Sequence, residues 1–156
     1  KGDVVMVNTA RGQAIMFEEE QVRPMGRTAT GVKGISLDPG NYVIGIDKYR
    51  QGADVLIVTE HGYGKRVPLE EFKTQNRGGK GVKSIELTHK NGEVVASKIV
   101  SEEDELVILT SEGQIIRLQV EGISVQKRYA RGVLLMRLPE NDRIVSIARF
   151  RTEHEE

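Results

Sequence analysis

Short runs of branched apolar residues recur along the chain, and each run ends in a threonine that is followed three residues later by a glycine. The runs are Val4–Val7, Val55–Val58 and Leu106–Leu109. Runs of this length, closed by a glycine turn, are typical of β-strands that are buried on both faces. A second apolar stretch after each turn completes a predicted hairpin. The predicted second strands are Ala14–Phe17, Lys65–Leu69 and Ile115–Val120.

Alternating apolar and polar positions predict two further strands after each hairpin. The predicted third strands are Val32–Leu37, Val82–Leu87 and Val133–Leu138, and the fourth are Tyr42–Ile46, Glu93–Ile99 and Arg143–Ala148. Turn signals at Asp38-Pro39-Gly40 and Asn91-Gly92 separate the third strand from the fourth. Helical periodicity is weak, with Glu18–Val22 and Glu70–Lys73 as the best candidates. We therefore predict an all-β fold with little helix.

The same columns repeat at steps of 50 and 51 residues, which is typical of a repeat architecture. The repeated residues include Thr9, Thr59 and Thr110, Gly12, Gly62 and Gly113, Arg27, Arg77 and Arg128, and Gly31, Gly81 and Gly132. Four strands in each repeat predict a blade of a propeller-like fold. We predict a segment of three four-stranded blades over residues 1–150, with blades at about 1–49, 50–100 and 101–150, followed by an acidic tail at 151–156. We call these repeats units 1, 2 and 3.

Three blades are fewer than the four to eight that close a propeller. We therefore expect part of a ring or an open arc, whose end blades could pair with a second copy. Because the chain begins at Lys1 rather than Met, we also expect it to be a segment of a longer protein. Three loosely similar hairpins in a β-sandwich are the alternative architecture.

The positions of the charged residues along the chain say more about function than the overall composition does. The 156 residues include 23 basic and 23 acidic ones, and a net charge of zero taken alone argues against a nucleic-acid partner. The charges are nevertheless segregated along the chain. Ten basic residues and no acidic residue lie in Arg23–Lys33, Lys73–Lys83 and Ile123–Val133, which occupy equivalent places in the three units. We call these basic segments 1, 2 and 3.

Basic segments without acids indicate a surface for phosphates, if repeat geometry brings them to one rim. Gln75–Gly81 contains three glycines, so backbone N–H groups can approach a phosphate while Arg77 and Lys80 neutralise it. Such contacts do not depend on base sequence. With about half of the ten charges engaged, the logarithm of affinity should fall against the logarithm of salt concentration with a slope of about −4 to −5.

Other chemistry lacks the residues that it needs. The chain has no cysteine and only three histidines, and no two histidines have metal-ligand spacing, so we expect no metal site. Gly78-Gly79-Lys80-Gly81 lacks the spacing of a nucleotide P-loop. Most carboxylates lie in exposed acidic runs rather than in apolar surroundings that would raise a pKa. We predict no cofactor and no catalysis, and the absence of an apolar run of 18 residues predicts no membrane span.

At Gln75–Gly81 the chain resembles a known family. The stretch matches six of the seven positions of the gyrase box, Q-[RK]-R-G-G-[KR]-G, of the C-terminal domain of DNA gyrase A, and departs from it at Asn76. The similarity extends over roughly Gly2 to Arg149 and includes Met25–Ile35, Gly62–Arg66 and Thr88–Gly92. These stretches resemble the last three of that domain's six repeats.

The resemblance implies a β-pinwheel, a propeller-like ring whose blades exchange hairpins. It also implies a non-catalytic domain of an ATP-dependent type II topoisomerase that wraps double-stranded DNA without sequence preference, to support negative supercoiling. The implied partners are the rest of DNA gyrase A and the ATPase component of the enzyme, in the bacterial cytoplasm at the nucleoid. The predicted DNA-binding residues are Arg23, Arg27, Lys33, Lys65, Arg66, Lys73, Gln75, Arg77, Gly78, Gly79, Lys80, Gly81, Lys83, Lys127, Arg128 and Arg131.

The sequence leaves two alternatives open. The corresponding domain of topoisomerase IV has related blades with degenerate boxes, whereas Arg77–Gly81 is intact here. A protein-interaction propeller of the WD or kelch kind is the second alternative. Against it stand the absence of tryptophan and the seven aromatic residues of the chain, because interface anchors favour Trp and Tyr.

Overall fold

The computed structural model describes residues 4–18, 37–72 and 81–151. Its strands are β1 (Val4–Thr9), β2 (Gln13–Glu18), β3 (Val43–Lys48), β4 (Asp54–Thr59), β5 (Tyr63–Pro68), β6 (Val82–Lys83), β7 (Val94–Val100), β8 (Asp104–Thr110), β9 (Ile115–Gln119), β10 (Val133–Leu134) and β11 (Ile144–Arg151). Two 3-10 turns lie at Leu69–Glu71 and Val120–Gly122. The prediction of an all-β, propeller-like fold with little helix is confirmed.

The strands form three antiparallel sheets that exchange strands between units. The sheet orders are β3-β1-β2-β6, β7-β4-β5-β10 and β11-β8-β9. The outer strand of a sheet thus comes from the next unit along the chain, as β6 pairs with β2 and β10 with β5. The third strands predicted at Val82–Leu87 and Val133–Leu138 were too long: only two residues of each are strand, and these join the preceding unit's sheet.

The repeated threonines and glycines close each hairpin in the same way. The backbone N–H of Tyr63 donates to Oγ1 of Thr59, and the N–H of Gly62 donates to the Thr59 carbonyl. Equivalent bonds join Thr9 to Gln13 and Thr110 to Gln114. A buried hydroxyl that satisfies a turn N–H stabilises the turn locally, and this explains why the threonine recurs.

The glycines at the unit junctions permit close backbone approach. Gly62 has a φ of +95°, and a Cβ built there would lie 2.6 Å from the carbonyl oxygen of Met136 in unit 3. Gly132 has a φ of +86°, and its Cβ would lie 3.0 Å from the Gly64 carbonyl oxygen. Only glycine adopts this conformation without strain at such distances. At Gly62 and Gly132, units 2 and 3 therefore approach each other through their backbones.

Strand β4 carries the core because its two faces pack against different units. Val55 and Ile57 belong to a cluster with Met6 and Met16 of unit 1, whereas Leu56 and Val58 pack with Leu106 and Ile108 of unit 3. All four β4 side chains are at most 1% exposed. The continuous apolar run predicted to be buried on both faces is thus sandwiched between two sheets, as in adjacent blades.

The fourth strands lie at the inner edges of the three sheets. Strands β3, β7 and β11 line one cavity, whose wall includes Ile44, Ala96 and Ile147. The outer strands β6 and β10 lie at the opposite edges of their sheets. The described end of basic segment 2 (81–83), which includes β6, and the end of basic segment 3, which enters β10, therefore lie at the outer edges of these sheets.

Candidate nucleic-acid interface

Basic segment 3 crosses from unit 3 to the outer edge of unit 2. It begins after the 3-10 turn at Val120–Gly122 and ends in β10, which pairs with β5. The Gly132 N–H donates to Oε1 of Gln126, so the ends of the 126–132 stretch are tied together. Nδ2 of Asn91, in the turn before β7, donates to the Arg131 carbonyl oxygen. The segment is a closed loop fixed to the unit before it.

Arg128 joins the middle of basic segment 3 to the end of basic segment 2. Its Nη1 donates to the Lys83 carbonyl oxygen at 2.9 Å, and its Nη2 donates to the Tyr129 hydroxyl at 3.0 Å. The guanidinium also lies 4.8 Å from the Tyr129 ring centroid and 6.0 Å from that of Phe72, within cation–π range. Adjacent basic segments are thus in direct contact on the outer edge.

Lys127 and Arg131 are exposed on the same segment, and neither forms an ion pair with any residue that the structure describes. Lys83 is also exposed, but its ammonium pairs with the Glu86 carboxylate. The hydrogen bond and the charge from Lys83 lower the pKa of Glu86, and the charge of Arg131 lowers it further. Glu86 therefore stays ionised and offsets part of the positive charge at this place.

Lys65 does not lie on the surface, contrary to the prediction that it contacts DNA. It is 0% exposed, because its position on β5 is covered by basic segment 3. Its Nζ donates to the carbonyl oxygens of Lys127, Arg128 and Ala130 at 2.6, 3.0 and 2.9 Å. A cation in this position holds the loop from within and does not reach a phosphate.

The prediction that Arg66 contacts DNA is also corrected by the structure. It is 4% exposed, and its Nε donates to the Ile123 carbonyl oxygen at 2.8 Å, while Nη1 pairs with the Asp54 carboxylate at 3.3 Å. Its backbone forms a parallel bridge to Val125. Burial raises the pKa of Asp54, with Arg66 opposing that shift. Arg66 therefore attaches the start of basic segment 3 to β5.

The remaining predicted DNA-binding residues fall into two groups. Gly81 is described, and with a φ of +78° a Cβ there would lie 2.4 Å from the Ala14 carbonyl oxygen, so it serves the junction between units 1 and 2. Nine others lie outside the described residues: Arg23, Arg27, Lys33, Lys73, Gln75, Arg77, Gly78, Gly79 and Lys80. The predicted strand at Val32–Leu37 and the helix at Glu18–Val22 also lie outside them, except for Leu37 and Glu18.

Sequence reasoning missed three residues that shape this surface. Glu71 follows β5, and its Oε1 accepts a hydrogen bond from the Arg128 backbone N–H at 3.1 Å. Phe72 supplies the ring under Arg128, and Tyr129 its second aromatic contact. The one signal in the sequence is that Glu71 and Phe72 directly precede basic segment 2, but no periodicity indicates contact with a segment more than 50 residues later.

Two other kinds of site are absent from the part of the chain that the structure describes. No group of three His, Asp or Glu side chains is placed to hold a metal ion in residues 4–18, 37–72 and 81–151. No helix within the same ranges is long and apolar enough to span a membrane.

The family follows from a sequence profile. The family described as DNA gyrase C-terminal domain, beta-propeller matches residues 3–49, 53–101 and 104–151. The chain belongs to this family. The three matched stretches follow the three repeats and together cover most of the chain, so the family resemblance inferred from the sequence is confirmed.

Relatives of this gyrase-type domain are similar along its whole length. The DNA gyrase A protein of Staphylococcus aureus strain MRSA252 is 43% identical over 154 residues, which are 97% of this chain and 17% of that protein. The DNA gyrase A protein of strain NCTC 8325 gives the same values. The chain thus spans about one sixth of the length of these relatives.

Two solved structures superpose on this chain over most of its length. A DNA gyrase A C-terminal domain superposes with a TM-score of 0.89 at 31% identity, covering 96% of this chain and 51% of that one. The C-terminal domain of a DNA topoisomerase IV superposes with a TM-score of 0.86 at 23% identity, covering 95% and 46%. The second similarity concerns the fold alone. The gyrase-type units thus have the architecture of a solved gyrase domain.

Proposed function

We propose that this chain binds duplex DNA without sequence preference along its outer edge, and that it wraps the duplex as part of a DNA gyrase A protein. The observation that carries the proposal is the contact between successive basic segments through Arg128 and Lys83. This contact places Arg128 of unit 3 against Lys83 of unit 2 at the outer edge, and we call the surface that these two residues form the basic rim. Exposed Lys127 and Arg131 extend it.

Phosphate contacts of this kind supply affinity and orientation but do not read bases. The outer edge exposes the ammonium groups of Lys83 and Lys127 and the guanidinium of Arg131. These cations can neutralise the regularly spaced phosphates of a duplex. Following a curved edge costs DNA about 1–6 kcal/mol for a bend of 40–90° over about 20–30 base pairs. Non-specific binding supplies roughly 5.5–8 kcal/mol, so a bend is feasible over a short arc.

The parent protein defines the wider role. Since the matched relatives are DNA gyrase A proteins of which this chain spans 17%, its partners would be the rest of gyrase A and the ATPase component of the enzyme, in the bacterial cytoplasm. The chain itself would be non-catalytic. Wrapping the duplex in one sense would then present a second DNA segment to the cleaving part of the enzyme and support negative supercoiling.

The test is duplex binding across a salt series. The variant Lys83→Gln/Lys127→Gln/Arg131→Gln removes three exposed cations of the basic rim. If each contacts one phosphate, the log–log salt slope should become less steep by about 2.7. A charge-matched control, Lys48→Gln/Lys98→Gln/Arg143→Gln, removes three cations at or next to the inner strands β3, β7 and β11. Equal losses in the two triple variants would contradict the basic rim as the binding surface.

The gyrase box provides a second test at residues outside the described ranges. The variant Arg77→Ala/Lys80→Ala should flatten the salt slope by about 1.8 if both cations contact phosphates. Asn76→Lys would instead restore the seventh box position and should strengthen binding. No change in either variant would show that basic segment 2 does not contribute phosphate contacts.

A further inference from the structure

Lys65 is a buried cation whose partners all belong to the neighbouring unit. Its ammonium has three N–H donors, and the carbonyl oxygens of Lys127, Arg128 and Ala130 accept one bond each. The side chain is 0% exposed. Every donor is thus used on the backbone of the stretch that carries the exposed cations.

The repeat shows that the fold does not require a cation at this position. The equivalent residue is Ile15 in unit 1 and Ile116 in unit 3. Ile15 is 1% exposed and belongs to an apolar cluster. Because burying a charge is costly unless it is fully hydrogen-bonded, a lysine at an isoleucine position needs a specific reason at the junction of units 2 and 3.

Basic segment 3 supplies such a reason. Lys127, Arg128 and Arg131 repel one another within five residues, and the segment contains no acidic residue. The carbonyl oxygens of Lys127, Arg128 and Ala130 point inward to Lys65. With the backbone held in this way, the side chains of Lys127 and Arg131 are exposed. Arg66 secures the beginning of the same segment through the Ile123 carbonyl oxygen, so two adjacent β5 residues hold 123–130.

The charged groups around Lys65 come from two elements. Glu71, in the 3-10 turn after β5, raises the pKa of the Lys65 ammonium, and Arg128 of basic segment 3 lowers it. Burial has the larger effect and lowers the pKa to about 8. At neutral pH the group is therefore still mainly the ammonium that donates three bonds.

We propose that Lys65 is a positioning residue of the basic rim, which holds residues 127–130 so that Lys127 and Arg131 face the duplex. The inference rests on the proposed function, since it names how one DNA-binding segment is presented. It assigns Lys65 no contact with DNA. Removing its Nζ should loosen the loop without opening the core.

The test compares Lys65→Met with Lys98→Met in the 156-residue chain. Methionine keeps the apolar stem of Lys65 and removes the three donors, and Lys98 on β7 loses the same charge at the inner edge. Amide hydrogen exchange over 126–132 should become at least tenfold faster in Lys65→Met and stay unchanged in Lys98→Met. Duplex affinity should fall about three- to tenfold in Lys65→Met only.

Thermal stability separates positioning from a structural effect. Replacing a buried charge by an apolar side chain is often neutral or stabilising, so the melting temperature of Lys65→Met should be unchanged or higher while its DNA binding is weaker. Lys65→Ile, which copies units 1 and 3, should behave in the same way. A fall in binding that merely follows a fall in stability would overturn the inference.

The two proposals fail separately. Unchanged loop exchange and unchanged affinity in Lys65→Met, with a wild-type chain that binds duplex in a salt-dependent way, would overturn the positioning role and leave the basic rim standing. A wild-type chain that does not bind duplex would overturn the proposed function instead. Faster exchange over 126–132 in Lys65→Met alone, together with weaker binding, supports both.

Discussion

Arg128 of unit 3 lies with its Nη1 2.9 Å from the carbonyl oxygen of Lys83 in unit 2. Arg128 is the counterpart of Arg77 in the repeat, so a residue of the gyrase-box column uses part of its donor set on the neighbouring unit. Its fork can serve this carbonyl and still present N–H groups outward, which a single ammonium does less well. This contact sets the distance between Lys83, at the end of basic segment 2, and the middle of basic segment 3.

Replacing Arg128 should therefore affect both spacing and affinity. We expect Arg128→Gln to weaken duplex binding and to flatten the salt slope by about one, the value for one phosphate contact. Arg128→Lys keeps the charge but not the fork, so it should restore the slope while leaving affinity below that of the wild type. Binding titrations at several salt concentrations measure both quantities. Full recovery of affinity in Arg128→Lys would contradict a role for the carbonyl contact.

Much of the hairpin structure was predictable from the sequence because its causes are local. Thr59, Gly62 and Tyr63 form their turn through bonds within five residues, and the repeat shows the same pattern three times. The exchange of β10 onto β5 depends instead on the approach of Gly132 to Gly64. No periodicity reveals which sheet a two-residue strand joins.

The site was harder to predict for a related reason. Charge indicated Lys65 and Arg66 as surface cations, but burial depends on the segment that covers β5, and that segment lies more than 50 residues later. One signal was present: Ile15 and Ile116 occupy the position of Lys65 in the other units. A cation at a column that is otherwise apolar indicates a buried lysine. The exposed positions of Lys127 and Arg131 agree with the charge pattern, because no residue within the described ranges covers either side chain or forms an ion pair with it.

Gly62 and Gly113 occupy equivalent positions in units 2 and 3. Substitutions at these two positions therefore distinguish the cost of backbone strain from the cost of a close contact between units. The two glycines have φ angles of +95° and +93°, but a Cβ at Gly62 would meet the Met136 carbonyl oxygen at 2.6 Å, whereas no atom of the described residues lies within 4 Å of a Cβ at Gly113. Gly113→Ala should lower the free energy of unfolding by about 1–2 kcal/mol through strain alone. Gly62→Ala should cost about 3 kcal/mol or more, because unit 3 must also shift.

Urea unfolding of the two glycine variants measures the difference directly. The variant Gly122→Ala provides a control, because Gly122 has no positive φ and, among the residues that the structure describes, no atom lies within 4 Å of a Cβ built there. It should leave the free energy of unfolding nearly unchanged. Equal losses in Gly62→Ala and Gly113→Ala would show that the junction of units 2 and 3 does not depend on this approach.

Arg66 and Arg117 are also equivalent in the repeat, and each pairs with a carboxylate, but only Arg66 is buried. Arg66 pairs with Asp54 beneath basic segment 3, whereas the side chain of Arg117 pairs with Glu105 while remaining 70% exposed. Arg66→Met should lower the free energy of unfolding by about 2–4 kcal/mol, because the Asp54 carboxylate and the Ile123 carbonyl lose their donor. Arg117→Met should have little measurable effect, since exposed pairs contribute little. Chemical denaturation of both variants measures the two free energies of unfolding. A comparable loss of unfolding free energy in Arg117→Met would contradict the role of basic segment 3 in covering Arg66.

Lys65 should make stability depend on pH in a window set by its pKa. Burial, opposed by Glu71 and reinforced by Arg128, lowers the pKa in the folded chain to about 8, from 10.5 when it is exposed. Below pH 8 both states bind the proton, and between about 8 and 10.5 only the unfolded state does. The free energy of unfolding therefore rises with pH across this window, since stability increases wherever the unfolded chain binds more protons.

Denaturation of the wild type and Lys65→Met at pH 7.5, 8.5 and 9.5 isolates the effect, because all other groups titrate alike in both. The difference in unfolding free energy, wild type minus variant, should increase with pH, and a constant difference would show that the Lys65 ammonium keeps its ordinary pKa beneath residues 127–130.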